Sequence, residues 1–136
     1  MIEMELNKII IDEKRHDQLI VLKEKNGERL LPIVIGLNEA AAIKLKISGF
    51  SPPRPLTHDL LQSTIENLEA SIEKVIIDKL LENTFHAKIV LKCANGITKT
   101  IDARPSDSLA LAVRAHAPIF IEEEVLNKIT NADKGK

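Results

Sequence analysis

Two polar groups stand out in this chain for the chemistry their residue types could perform. The stretch SPPRPLTHDLL, Ser51 to Leu61, places Arg54, Thr57, His58 and Asp59 among three prolines. Further on, IDARPSDSLA carries Asp102, Arg104, Ser106 and Asp107. An arginine presents a planar fork that matches phosphate or carboxylate. An imidazole changes charge nearer neutral pH than any other ordinary side chain, so His58 is a candidate for moving a proton. Acids held close together can bind Mg²⁺ or Mn²⁺ through oxygen. Each group also has a purely structural reading. The prolines can serve as a stiff connector, with Thr57 capping a helix and Asp59 complementing its dipole. Asp102 and Arg104, two apart in an extended segment, can pair on one face, while Ser106 or Asp107 caps the helix that follows.

The elements that must position these groups can be read from periodicity. KIIID at Lys8–Asp12 is matched by KVIID at Lys74–Asp78, and IVLKEKNG at Ile20–Gly27 by IVLKCANG at Ile89–Gly96. The second match, continued at the same spacing, sets Asn38 opposite Asp107. The order of matches predicts a duplicated unit of roughly 45 residues, each copy reading strand, strand, strand, helix. Asn26-Gly27 and Asn95-Gly96 predict tight two-residue hairpin turns, with positive φ at both central positions. Thr84–Lys92 alternates apolar and polar residues, as a half-buried strand does. SLALAVRAHA, apolar nearly all round, predicts a helix buried between layers, and Asn38 and Ser106 or Asp107 are its and its counterpart's expected caps. A further helix over about Thr57–Ala70 has an apolar stripe of Leu60, Leu61, Ile65 and Leu68. APIFIEEEVLNKI adds a short strand and a closing helix. The expected class is α+β, with a mixed or antiparallel sheet packed against helices. Residues 1–129 would form one domain and 130–136 a frayed tail.

Composition narrows the function. The chain has 136 residues, 19 basic and 20 acidic side chains, three Phe, no Trp and no Tyr. Near-neutral charge gives no broad attraction to nucleic acid or to anionic membranes, and the lack of aromatics argues against a base-stacking platform. The single cysteine, Cys93, excludes an internal disulfide and reads as a packed strand residue. An acid-bearing N-terminus and the absence of a long apolar run predict a soluble, cytoplasmic protein without a membrane span. No P-loop, G-x-G-x-x-G, H-E-x-x-H or nucleophile elbow occurs. The His-Asp pairs at His16 and His58 do not suffice for a metal phosphohydrolase that draws ligands from several helices.

PPRPLTHDLL and IDARPSDSLALAVRAHAPIFIEEEVL, with LPIVIGLNEAAAIKL upstream, together resemble the bifunctional nuclease family, in order from about Leu6 to Ile129. The resemblance implies a compact α+β domain and, by the family's name, cleavage of DNA and RNA. On that reading Asp102, Asp107 and Asp59 would hold a divalent ion, Mg²⁺ or Mn²⁺. Arg54 and Arg104 would bind the phosphate of a nucleic acid substrate, and His58 would carry the proton. The rival is a non-catalytic oligomeric scaffold or regulatory module that binds a protein or small anion; neutral charge favours it. Exposed hairpin edges predict a homodimer in either case.

Overall fold

Branched aliphatics alternating with polar residues build the sheet. The computed structural model describes residues 1–12 and 14–134. Strands β1 (Ile2–Ile10), β2 (Asp17–Glu24) and β3 (Leu30–Gly36) lead into helix α1 (Leu37–Ile47) and, after the proline segment, α2 (Thr57–Asn67). Then come β4 (Ala70–Leu81), β5 (Thr84–Cys93), β6 (Thr98–Ala103), α3 (Pro105–Ala115), β7 (Ile119–Ile121) and α4 (Glu123–Lys134). The seven strands lie in the order β3-β2-β1-β7-β4-β5-β6. Every neighbouring pair is antiparallel except β4 with β7, so the sheet is mixed and the fold is α+β, as expected. Two three-stranded meanders thus flank β7, and each is followed by a helix.

One face of the sheet carries the core. Ile20 and Leu22 of β2, Leu31, Ile33 and Ile35 of β3, Val75 and Ile77 of β4, and Ala87, Ile89 and Leu91 of β5 point the same way, because side chains two apart share a face. Leu109, Ala110, Leu111 and Ala112 of α3 close onto them, with Val125 and Leu126 of α4. Fully burying one such Leu, Ile or Val contributes about 1.5–3 kcal/mol. Helix α3 is buried nearly all round, as its sequence predicts. Helix α1, which follows edge strand β3, packs on α3, which follows the opposite edge strand β6. The sheet therefore curls, and residues distant across it meet at its helical face.

Three expectations are corrected. The turn with positive φ at both central positions is Glu82-Asn83 (φ 49° and 63°), joining β4 to β5. At Asn95-Gly96 only Gly96 has positive φ, and the hairpin closes instead with Gly96 N–H donating to the Cys93 carbonyl and Cys93 N–H to the Ile97 carbonyl. That is a type I turn followed by a left-handed residue, the three-residue alternative. The Asn26-Gly27 loop has no residue of positive φ. The two Asn-Gly pairs that align in sequence therefore close differently built loops. Second, the stripe expected of α2 is not its buried face. Only Ile65 is buried, while Leu60, Leu61 and Leu68 are 58%, 42% and 76% exposed. Periodicity locates an apolar stripe but does not say that anything covers it. Third, the expected helix caps are not caps, as described below.

Helix α4 runs to Lys134, beyond the expected domain boundary at residue 129, and the end of the expected tail, residues 135–136, lies outside the described residues. Among the described residues no helix is long and apolar enough to cross a membrane.

Candidate functional site

Helices α1, α2 and α3 start in the same way. Their N-cap residues are Gly36, Leu56 and Arg104, all with extended backbone, and none makes a side-chain capping bond. Asn38, Thr57, Ser106 and Asp107 therefore sit inside the first turn rather than at the cap. In each helix the third residue of that turn is an acid: Glu39, Asp59 and Asp107. Local sequence explains the starts. Pro105 holds the preceding Arg104 extended and, at the first position of α3, gives up an N–H that would have no helical partner. The acids suit the positive ends of the helix dipoles.

Each acid is then claimed from another element. The His58 Nε2 lies 3.0 Å from Asp107 Oδ1, across α2 and α3. Arg104 Nε donates to Asp107 Oδ2 at 2.9 Å, and its Nη2 donates to Glu39 Oε1 at 3.1 Å. Arg114, the one basic residue of α3, donates through Nε to Asp59 Oδ1 at 2.7 Å. Its Nη1 reaches the Ala110 carbonyl at 3.1 Å and its Nη2 the Ala42 carbonyl at 3.4 Å. Asp59 Oδ2 also accepts from the Leu56 backbone N–H at 3.0 Å. The Arg114 side chain is only 3% exposed, His58 12%, and Arg104 67%.

These contacts set the protonation states. Burial pushes the Asp107 carboxyl up, but hydrogen bonds from His58 and Arg104, with their charges, outweigh it and hold the group below its ordinary value. For Asp59, burial is likewise outweighed by the Arg114 and Leu56 donors, and the carboxyl is held low. Arg104 is raised by the Asp107 hydrogen bond and charge. With Asp107 ionised, the His58 Nε2 must carry the hydrogen it shares with that carboxylate. In the neutral ring the lone pair is then on Nδ1.

The two polar segments thus converge, but not with every residue expected. His58, Asp107 and Arg104 line one cavity of about 590 Å³, with Asn38 and Glu39 of α1 and Thr57 of α2. Its other wall is aliphatic, including Ala42, Leu45 and Leu56. Asp59 lies on the far side of Leu56, against Arg114, in a separate cavity. Ser106 is buried in the first turn of α3. Arg54 is exposed on the proline segment and lines neither cavity. Asp102 is also apart: it pairs with Lys88 across β5 and β6, on the sheet face opposite Ile89 and the helices. The strand alternation that would have put it beside Arg104 stops at Ala103, where the chain turns into α3.

The acids expected to hold a divalent ion do not fit one. Asp102 is across the sheet, Asp59 lies in a separate cavity with its oxygens against Arg114 and Leu56, and Asp107 meets His58 and Arg104. Among the described residues no cluster of three His, Cys, Asp or Glu side chains has a metal-holding arrangement. What the cavity does offer is donors. Three helix N-termini without side-chain caps border it, together with the Arg104 guanidinium and the Glu39 and Asp107 carboxylates that accept from it.

Sequence reasoning missed Glu39 and Arg114. Nothing in LNEAAA marks Glu39, whose partner is 65 residues away. Arg114 did have a signal: a lone arginine in a helix apolar all round must find a buried partner.

The described geometry can be set beside known proteins. The bifunctional nuclease domain model matches residues 20–133. An uncharacterised protein of Mycobacterium tuberculosis is 44% identical over 118 residues, covering 87% of this chain and 70% of that protein. Bifunctional nuclease 2 of rice (Oryza sativa subsp. japonica) is 27% identical over 118 residues, covering 85% of this chain and 36% of its own length. Bifunctional nuclease 1 of Arabidopsis thaliana is 23% identical over 107 residues, covering 76% of this chain and 33% of its own.

Proposed function

Because this chain belongs to the bifunctional nuclease domain family, we propose that it hydrolyses phosphodiester bonds of DNA and RNA at the cavity between α1, α2 and α3. The observation that carries this reading is the His58–Asp107–Arg104 group at the meeting point of three helix N-termini. A scissile phosphate bound there faces backbone donors and the exposed guanidinium of Arg104. His58 Nδ1 accepts the proton of the attacking hydroxyl, from water or from the neighbouring ribose in RNA, as the new O–P bond forms; the P–O bond to the leaving oxygen breaks, and the imidazolium or solvent returns a proton to that oxygen. Asp107 holds the ring in the tautomer that leaves Nδ1 free and stabilises the imidazolium that forms, and Arg104 offsets charge building on the phosphate oxygens. The aliphatic wall gives a nucleobase an apolar surface in place of the missing aromatics.

The test is cleavage of single-stranded DNA and RNA by purified chain beside the His58→Asn variant. Loss of both activities in the variant supports the reading. Cleavage at an unchanged rate in the variant, or none in the parent chain, overturns it.

The second reading is a non-catalytic oligomeric module, and the exposed Leu60 and Leu61 of α2 with Leu68 at its end favour it. A surface helix that shows three leucines to solvent gains by being covered. On this reading a second copy covers it, and the chain is a homodimer.

A further inference from the structure

His58 and Asp59 are adjacent at the start of α2, and each is tied to α3. His58 meets Asp107, and Asp59 meets Arg114. Asp107 and Arg114 are seven apart, two turns of one helix, so they share a face of α3. Two ties from neighbouring residues to two levels of one helix fix both the position and the rotation of the α2 start. A single tie would leave α2 free to turn about it. The second tie is the better built. Arg114 is buried, and its guanidinium also reaches the Ala110 and Ala42 carbonyls, so one side chain joins α1, α2 and α3. Asp59 in turn holds the Leu56 backbone N–H, the residue at which the proline segment becomes helix.

We propose that Arg114, acting through Asp59, is the positioning residue that sets His58 against Asp107. The proposal rests on the proton-carrying role given to His58, but it makes a separate claim about the ring. Arg114 is not among the residues lining the cavity that His58 lines, and it reaches that cavity's wall only through the Ala42 carbonyl. Its contribution is geometric: a shift of about 1 Å in a reacting group can lower a rate ~100-fold.

The experiment is nitrogen-15 NMR of the histidine rings in the full chain, with steady-state cleavage kinetics on the same samples. The chain has four histidines, and the signal missing from His58→Asn identifies the one needed. Arg114→Lys keeps a cation but cannot make the three-way fork. In the double variant Asp59→Asn, Arg114→Met both charges are removed together, so the fold is not left with a buried unpaired ion. In the parent chain His58 is expected as a single tautomer protonated at Nε2. In both variants it becomes a mixture of tautomers, and kcat falls roughly 10- to 100-fold with KM within about two-fold. Retention of the single Nε2–H tautomer in the folded double variant overturns the proposal, as does an unchanged kcat. If the parent chain cleaves nothing, the nuclease reading fails by itself, and the tautomer still decides the role of Arg114.

Discussion

His58 Nε2 and Asp107 Oδ1 meet at 3.0 Å from positions 49 residues apart in the chain. One comes from a proline-led helix start and the other from the first turn of a helix on the opposite meander. Asp107→Asn keeps the shape of this contact but allows the amide to present its N–H₂ group to the ring. Nε2 then becomes the acceptor, and the proton moves to Nδ1. Cleavage should fall by about 10²–10⁴, the usual worth of a positioned proton carrier, with no restoration from added substrate. Initial rates across a substrate series check this, and a fall confined to KM would contradict it.

Acid should weaken the fold in a defined window. Asp59 and Asp107 both have folded pKa values held below those of the unfolded chain. Their contribution to stability is complete above the unfolded value, about 3.9. It is lost as pH falls through the depressed folded values, because the unfolded state then binds more protons. Urea midpoints measured between about pH 5 and pH 2 should decline, and the decline should flatten in Asp59→Asn and Asp107→Asn. An equal slope in parent and variants would show that other carboxylates govern acid unfolding.

Breaking the Arg114–Asp59 pair from one side should cost more than any surface change. Asp59→Ala strands a guanidinium that is 3% exposed and also removes the acceptor of Leu56 N–H. A loss of about 3 kcal/mol or more is expected from the stranded charge. Urea unfolding measures it, and a loss under about 1 kcal/mol would place this pair with exposed ones.

On the proposed reading, Glu39 and a substrate phosphate would compete for Arg104. The Glu39 carboxylate already accepts from Nη2 at 3.1 Å. Neutralising it in Glu39→Gln should therefore tighten binding of inorganic phosphate or a short oligonucleotide by roughly 3- to 10-fold, as a charge-assisted contact is freed for the ligand. Titration calorimetry reads the change. Unchanged or weaker binding would mean that phosphate does not use Arg104.

Cleavage should persist in chelator. The three acids that could hold an ion are apart: Asp59 faces Arg114, Asp107 faces His58 and Arg104, and Asp102 lies across the sheet. Equal rates in EDTA and in added Mg²⁺ or Mn²⁺ are expected. A rate abolished by EDTA and restored by one of the ions would overturn the metal-free reading.

The local sequence by itself determined the strands, the helices, the α+β class, the buried character of α3 and the two polar segments. These depend on neighbours within a few residues, through alternation, helical period and proline, and such patterns are legible in one dimension. The tertiary structure decided the rest. It decided that α2 turns three leucines to solvent, since a stripe does not name what covers it. It put Asp102 across the sheet, because the chain leaves β6 one residue later. It also gave Asp59, Asp107 and Glu39 their arginine and histidine partners, since the curled sheet brings α1 onto α3 from opposite edges. A side chain's type is written in the chain, but what it meets depends on which distant elements share its side of the core.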